Sequence, residues 1–417
     1  MTSLNAVVIS IRLLVSLFIQ RFLAETVGEV GISKIGQLRN FTSILTSLST
    51  GGIFNGVTKY VSEFKDDEEQ LRKMFSTAFV FTIVGTIVTS LILFFGAETI
   101  SNYLFGSLDF EYLIKLLAVI VPFIAMYRVF NGVVHGLSAY KNFAKIDLFS
   151  YLLGAVLLVI SLYKYNIDGA LVAIAITPVI QFLVLLFIFF KTLKEYIHFS
   201  KLSFKIPFVK ELLAFTLMSF VSTGLLNFVE IDLRTIIRNQ ITEVDSGIWT
   251  AMTFISKNYM VFSASIFTLY VIPKFASINT QKGFTSEVKT IYKTLLPLFG
   301  IGMLIVYFLR DYVILIIYPD FTAMAPLFKW QLSADFFRLA TLVLSYQFIA
   351  KKMVRNFIFS EILSLALFYF IARYLVNDFG VEGVVMAHLI RSVIMFVVVF
   401  YLVFRYFNKQ NKLSVND

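Results

Sequence analysis

The chain has 417 residues, of which 58% are hydrophobic and only 15% charged, with a mean hydropathy of +0.83. Soluble globular domains carry roughly 25% charged residues, so this chain cannot cover itself with a water-facing surface, and its solvent is mainly lipid. The formal charge of +10 does not point to nucleic acid, because most of the bases fall in short connections between apolar runs, as membrane topology requires. The absence of cysteine excludes disulfides, thiol nucleophiles and thiolate metal sites. His135, His198 and His388 are scattered, so no metal site or cofactor is expected.

A spanning helix needs about 20 mainly apolar residues. In chain order the candidate runs are Ala6–Leu23, Gln37–Val61, Phe75–Phe95, Tyr112–Val134, Phe143–Tyr163 and Ala170–Phe190. They continue with Leu212–Ile236, Ile248–Ile272, Leu295–Leu309, Met324–Ile349, Phe357–Val376 and Val384–Phe404. The first run carries Arg12 and Arg21 and has no small-residue cleavage site, so it reads as a membrane helix and not a signal peptide. Leu295–Leu309 is short; it either extends upstream from Tyr292 or dips back through Val313–Tyr318.

Charge sets the orientation. Connections after the even-numbered runs, together with the C-terminal tail, hold Lys65, Arg72, Lys73, Lys141, Lys145, Lys191, Lys194, Lys201, Lys205, Lys210, Lys274, Lys282, Lys289, Lys293, Lys351, Lys352, Arg355, Arg405, Lys409 and Lys412. The alternate connections hold only Lys34, Lys164, Arg238 and Arg310, with Lys115 and Arg373 inside runs near the same side. The bias places the first set, and both termini, in the cytoplasm. The acidic run Asp66-Asp67-Glu68-Glu69 reads as a solvated helix start.

The long basic connection Lys191–Glu211 divides six runs from six, which suggests repeated halves. Asn142-Phe143 recurs 214 residues later as Asn356-Phe357, and Ile167-Asp168-Gly169-Ala170 as Val381-Glu382-Gly383-Val384. A weaker match links Val30-Gly31-Ile32 to Ser246-Gly247-Ile248. The expectation is an all-α polytopic membrane protein of about twelve helices, in two six-helix lobes related by a pseudo-two-fold axis along the membrane normal. The lobes would occupy residues 1–195 and 212–407, with a cytoplasmic linker at 196–211 and a disordered tail at 408–417.

Ionisable residues deep in a membrane helix are costly and usually face a cavity or a partner. Arg39, Ser43, Thr46 and Thr50 form one polar stripe at helical spacing; Ser219, Thr223, Asn227, Glu230, Arg234 and Arg238 form another. Further candidates are Arg128, Asn131 and His135; Thr253 and Lys257; Gln331, Asp335 and Arg338; and His388 with Arg391. Arginine forks bind phosphate oxygens and stay charged, so the stripes suggest a cationic cavity. Arg12, Arg39 and Arg234 are the candidate pyrophosphate ligands, with Arg21 and Lys257 in support. Glu230, Asp335 and Glu361 are candidate ion-coupling acids. Glu230–Arg234 and Asp335–Arg338 are equally readable as internal braces. No Walker loop, GxSxG elbow or HExxH motif is present, so the chain reads as a transporter without its own ATPase and not as an enzyme.

The segment Gly52-Ile53-Phe54-Asn55-Gly56-Val57-Thr58-Lys59-Tyr60-Val61 resembles the end of the second helix of Wzx-type flippases, in their lipid III branch of enterobacterial common antigen synthesis. Phe215-Thr216-Leu217-Met218, Gly247-Ile248-Trp249, Leu309-Arg310-Asp311, Phe321-Thr322-Ala323-Met324 and Leu327-Phe328-Lys329-Trp330-Gln331-Leu332 extend the resemblance over both halves. It implies the two-lobe fold of the multidrug/oligosaccharidyl-lipid/polysaccharide exporter superfamily. It further implies a bacterial inner-membrane flippase that moves an undecaprenyl-pyrophosphate-linked glycan, lipid III or an O-antigen unit, to the periplasmic leaflet by alternating access, with proton coupling open. Arg12, Arg21, Arg39, Lys59 and Arg234 match basic positions of that branch, and Asp335 and Glu361 acidic ones; Lys257 and Lys329 depart from it. Besides membrane lipid, a polysaccharide polymerase and a chain-length regulator are the partners the resemblance implies. A drug/cation antiporter of the same superfamily and a membrane-embedded polysaccharide polymerase are the alternatives.

Overall fold

The computed structural model describes residues 2–266, 271–278, 280–351 and 353–413. Among these, every regular element is helical. Residues 267–270 of the Ile248–Ile272 run, Lys352 and residues 414–417 of the tail lie outside them. The all-helical outcome follows from the solvent: in hydrocarbon each backbone N–H and C=O has to be satisfied within the chain, and a helix does this locally. Phe187 (92% exposed) and Phe95 (81%) turn outward, as lipid permits and water does not. The chain is a multi-pass all-α membrane protein, divided into two compact units, Met1–Thr235 and Ile236–Asp417.

The first unit runs α1 (Thr2–Ser49), α2 (Phe54–Phe64), α3 (Glu68–Phe95), α4 (Ala97–Phe105), α5 (Glu111–Gly136), α6 (Tyr140–Tyr196), α7 (Val209–Ser219) and α8 (Leu226–Gln240), whose last turn passes into the second unit. Helix α6 packs between α1 and α5, while α2 and α3 flank α5. Asp67 caps α3, its side chain accepting from the Gln70 backbone N–H at 3.0 Å, with Glu68 and Glu69 in the first turn, where acids offset the helix dipole. The acidic run is thus a capped helix start. Lys201 of the connection after α6 reaches Glu68 at 2.9 Å.

The second unit runs α9 (Glu243–Ile266), α10 (Ile272–Ser277), α11 (Gln281–Phe308), α12 (Arg310–Ile317), α13 (Leu327–Ala350) and α14 (Val354–Leu413). Helix α13 packs on α14, α11, α10 and α9, and so forms the centre of this unit. The short Leu295–Leu309 run is the C-terminal part of α11, which begins upstream at Gln281; the chain kinks at Leu309 and continues as α12. The tail expected to be disordered continues α14 as helix to Leu413.

Among the described residues, six helical segments are long and apolar enough to cross a membrane: Glu68–Phe95, Glu111–Gly136, Tyr140–Tyr196, Val209–Gln240, Gln281–Phe308 and Val354–Asn408. This is fewer than the runs read from the sequence, for two physical reasons. A helix with charged and amide side chains along its length, such as α13 with Gln331, Asp335, Arg338 and Gln347, is not apolar enough to be among them. In addition α6, with 57 residues, would be about 85 Å long if straight, far more than a ~30 Å hydrocarbon core, and it is broken. The break in α6 is at Tyr165-Asn166, with Asn166 at φ 49°, ψ −136°. Helix α14 breaks at Gly380, at φ 57°, ψ −140°, 214 residues further on and in nearly the same conformation. Helix α1 breaks at Gly28.

Two segments of the family-like sequence touch each other. After α1 the chain turns through Gly51 and Gly52, both at positive φ. Here the Thr216 hydroxyl donates to the Gly51 carbonyl, and Ser47 and Ser219 hydroxyls meet at 3.1 Å. A Cβ on Gly52 would lie 2.7 Å from that of Ser219 and 3.2 Å from the Thr216 backbone. Gly52→Ala should therefore cost about 1–3 kcal/mol through strain and overpacking, read as a lower thermal unfolding temperature of the detergent-solubilised protein. Gly302→Ala, in α11 with nothing within 4 Å of an added Cβ, should not lower it.

Candidate functional site

The polar groups of the first unit fall into an open cluster and a closed one. In the open cluster, Arg12 of α1 donates from Nη1 to Asp147 Oδ2 of α6 at 2.6 Å, with the two side chains 42% and 25% exposed. One turn beyond Asp147, the Tyr151 hydroxyl donates to the Arg12 backbone carbonyl at 3.2 Å, and its ring lies 4.9 Å from the guanidinium carbon. The Tyr151 phenol is within electrostatic reach of Arg39 as well as Arg12 and Asp147. Tyr127 of α5 is within reach of Asp147, Arg128 and Arg12. Arg128 itself stacks 3.7 Å from the Phe54 ring. Guanidinium groups from α1 and α5 thus gather around Tyr127, Tyr151 and the Asp147 carboxylate.

The closed cluster joins the second half of α1 to α8. Arg234 is fully buried and lies 3.6 Å from Glu230 Oε2. Asn40 donates to the same oxygen at 2.7 Å, and Gln37 donates to the Ile231 carbonyl and Thr235 hydroxyl, each at 3.2 Å. Sealed at 0% and 10% side-chain exposure, Arg234 and Glu230 have the geometry of a brace. The polar stripe read along this segment is also interrupted: Phe220–Leu225 is a π-helical turn, which shifts Ser219 and Thr223 out of register with Glu230 and Arg234. On α1 the hydroxyls of Ser43, Thr46 and Thr50 bond back to carbonyls four residues earlier, so they line the helix without adding free donors. Arg21 pairs with Glu25 at 2.7 Å on the exposed surface, away from the Arg12 edge that holds Asp147.

In the second unit Asp335 is fully buried on α13. It accepts from Ser256 at 2.5 Å, from the Tyr259 hydroxyl, from Gln331 at 3.0 Å and from His388 Nε2 at 3.3 Å. Arg338 stands 4.0 Å away. Arg391 Nη2 lies 2.7 Å from His388 Nδ1. An arginine only donates, so Nδ1 accepts and the ring proton sits on Nε2, directed at Asp335. Phe368 covers the Arg391 guanidinium at 4.7 Å. Glu361 is half-buried and within electrostatic reach of Arg391 and Arg338. Lys257 is exposed. Among the described residues no three His, Asp or Glu side chains converge as a metal site requires.

The sequence reading passed over Asp147, Tyr151, Ser256 and Tyr259. Asp147 was detectable, as the only acid within Phe143–Tyr163; Ser256 and Tyr259 become significant only through contact with a residue on another helix. Asp335→Asn would place an amide where four donors converge. It should lower stability by about 3–5 kcal/mol, as loss of a buried charge partner does, seen as a fall of several degrees in thermal unfolding.

A profile of the polysaccharide biosynthesis protein family matches residues 31–326. The lipid III flippase of Escherichia coli (strain K12) is 28% identical over 381 residues, covering 91% of this chain and 92% of that protein. Among solved structures, an inward-facing multidrug resistance MATE family transporter of the MOP superfamily superposes with a TM-score of 0.74 at 13% identity, covering 97% of this chain and 96% of its own. The lipid II flippase MurJ, in an inward closed conformation, gives a TM-score of 0.74 at 14% identity, with 95% and 87% covered. At such identities these structures speak to fold alone. The profile takes in well over half of the sequence, and the chain belongs to the polysaccharide biosynthesis protein family.

Proposed function

We propose that this protein is a flippase that moves an oligosaccharide linked to a polyprenyl pyrophosphate from the cytoplasmic to the periplasmic leaflet of the bacterial inner membrane. The observation that carries the reading is the open cationic cluster of Arg12, Arg39 and Arg128 within membrane helices. A cation cluster inside a span is expensive and suits an anionic ligand; a pyrophosphate offers the oxygens that guanidinium forks bind. A drug cation would call for the opposite sign. The fold is shared by drug transporters and lipid flippases, so the charge of the site has to discriminate between them, and the lipid III flippase relative supports the same choice.

The transport cycle is alternating access, the mode of transporters built from repeated halves. Support for repeated halves comes from lengths and angles. Helices α3 and α11 have 28 residues each and are followed by short helices of nine and eight. The breaks at Asn166 and Gly380 share their backbone conformation. Counting α1 (its second part together with α2), α6 and α14 as two spans each, and α3, α5, α7–α8, α9, α11 and α13 as one each, supports a twelve-span arrangement, an even number that suits both termini in the cytoplasm. Asp335 and Glu361 are the candidate coupling acids of the second half; Glu230 and Arg234 serve as the brace between α1 and α8.

Expression in a bacterial strain lacking its lipid III flippase tests the reading. Surface glycan should return and the accumulated lipid-linked precursor should clear. Arg39→Ala should abolish that rescue at unchanged membrane expression. Normal rescue by the Arg39 variant would remove it from the site, and failure of the unaltered protein in strains lacking lipid III or O-antigen flippases would sink the proposal.

A further inference from the structure

The open and closed ion pairs of the first unit differ in a way that separates their roles. Glu230–Arg234 is sealed, with side chains 10% and 0% exposed. Arg12–Asp147 joins helices 135 positions apart yet stays open, at 42% and 25%. A pair that serves only to hold helices together gains from exclusion of water, since exposure weakens it. The open pair also has further guanidinium groups, those of Arg39 and Arg128, in its surroundings. The titratable and charged groups around Asp147 are Arg12 and Arg39 of α1, Tyr127, Arg128 and His135 of α5, and Tyr151 of its own helix.

We infer that Asp147 competes with the substrate's pyrophosphate for the Arg12 guanidinium, and so sets the affinity of the headgroup site. The inference rests on the proposed flippase function. Asp147 Oδ2 takes the Nη1 donor at 2.6 Å, the contact that a phosphate oxygen would make. Tyr151 holds the other features of Arg12: its ring lies along the guanidinium and its hydroxyl bonds the Arg12 carbonyl. The arginine therefore keeps its position whichever anion it binds. A carrier has to release what it binds, and conduction through any site requires binding weak enough to leave. Surrounded by three guanidinium groups, a pyrophosphate with no rival would be held tightly. A carboxylate that returns to Arg12 lowers this affinity and assists departure.

The test uses the full-length protein in nanodiscs, with farnesyl pyrophosphate as the probe and its Kd as the readout, alongside the rate of precursor clearance in the complemented strain. Asp147→Asn should bind the probe on the order of tenfold tighter and clear precursor more slowly. Asp147→Glu, which keeps the carboxylate, should bind within a few-fold of the unaltered protein. Arg12→Ala should bind more weakly, and adding Asp147→Asn to it should yield no tightening, because the competition is for Arg12. Equal or weaker binding by Asp147→Asn, with Arg12→Ala still weakened, would overturn the inference while leaving the anion site intact. Tightening that persists without Arg12 would overturn it too, in favour of a general charge effect. If neither Arg12→Ala nor Arg39→Ala weakens binding, the proposed function itself fails.

Discussion

A charge placed inside a membrane has no water to fall back on, and this single constraint organises the molecule. Its most direct expression is the contact between Arg12 and Asp147, which ties the first half of α1 to the first half of α6. The same constraint produces the Asn40–Glu230–Arg234 brace and the saturated environment of Asp335. In each case the ionisable group is compensated by a partner on a different helix. Because such compensation is directional, it fixes which helices are neighbours and how far each is rotated, something that apolar packing in lipid does only weakly.

The three arrangements nevertheless do different work. Arg234 and Asp335 are fully buried, and their partners account for their charge. Arg12, Arg39 and Arg128 lie around the Asp147 carboxylate with side chains partly open. Charge that remains reachable suits a ligand; charge sealed among its partners suits a structural role. The hydroxyls that accompany these charges fit the same division, since those of Ser43, Thr46 and Thr50 are spent on their own helix.

The corner at Gly51-Gly52 shows why a short stretch of sequence can carry a family resemblance. The turn needs positive φ, and the following chain passes so close to Thr216 and Ser219 that no Cβ fits. The segments Gly52–Val61 and Phe215–Met218 meet at this corner, and each limits the space left to the other. The π-helical turn directly after Ser219 sits at this junction, where an extra residue in the turn re-aims the side chains that follow.

Much of this was readable along the chain. Apolar runs, the sidedness of the bases and the recurrence of short segments 214 residues apart depend on local composition, and a helix in lipid is a local structure. The same is true of the basic residues Arg12 and Arg39, conspicuous because a charge in an apolar run is costly wherever it points. What the sequence could not decide was pairing. Arg12 and Asp147 are 135 residues apart, Asp335 collects Ser256, Tyr259 and His388 from two other helices, and the π turn rotates a stripe that looks continuous at 100° per residue. Glu230 and Arg234, four residues apart, read equally as ligands or as a brace until their burial was known. Position in the chain sets which groups exist and roughly how deep they lie; only packing brings partners from separate helices within bonding distance, and that distance separates a charge that binds from a charge that braces.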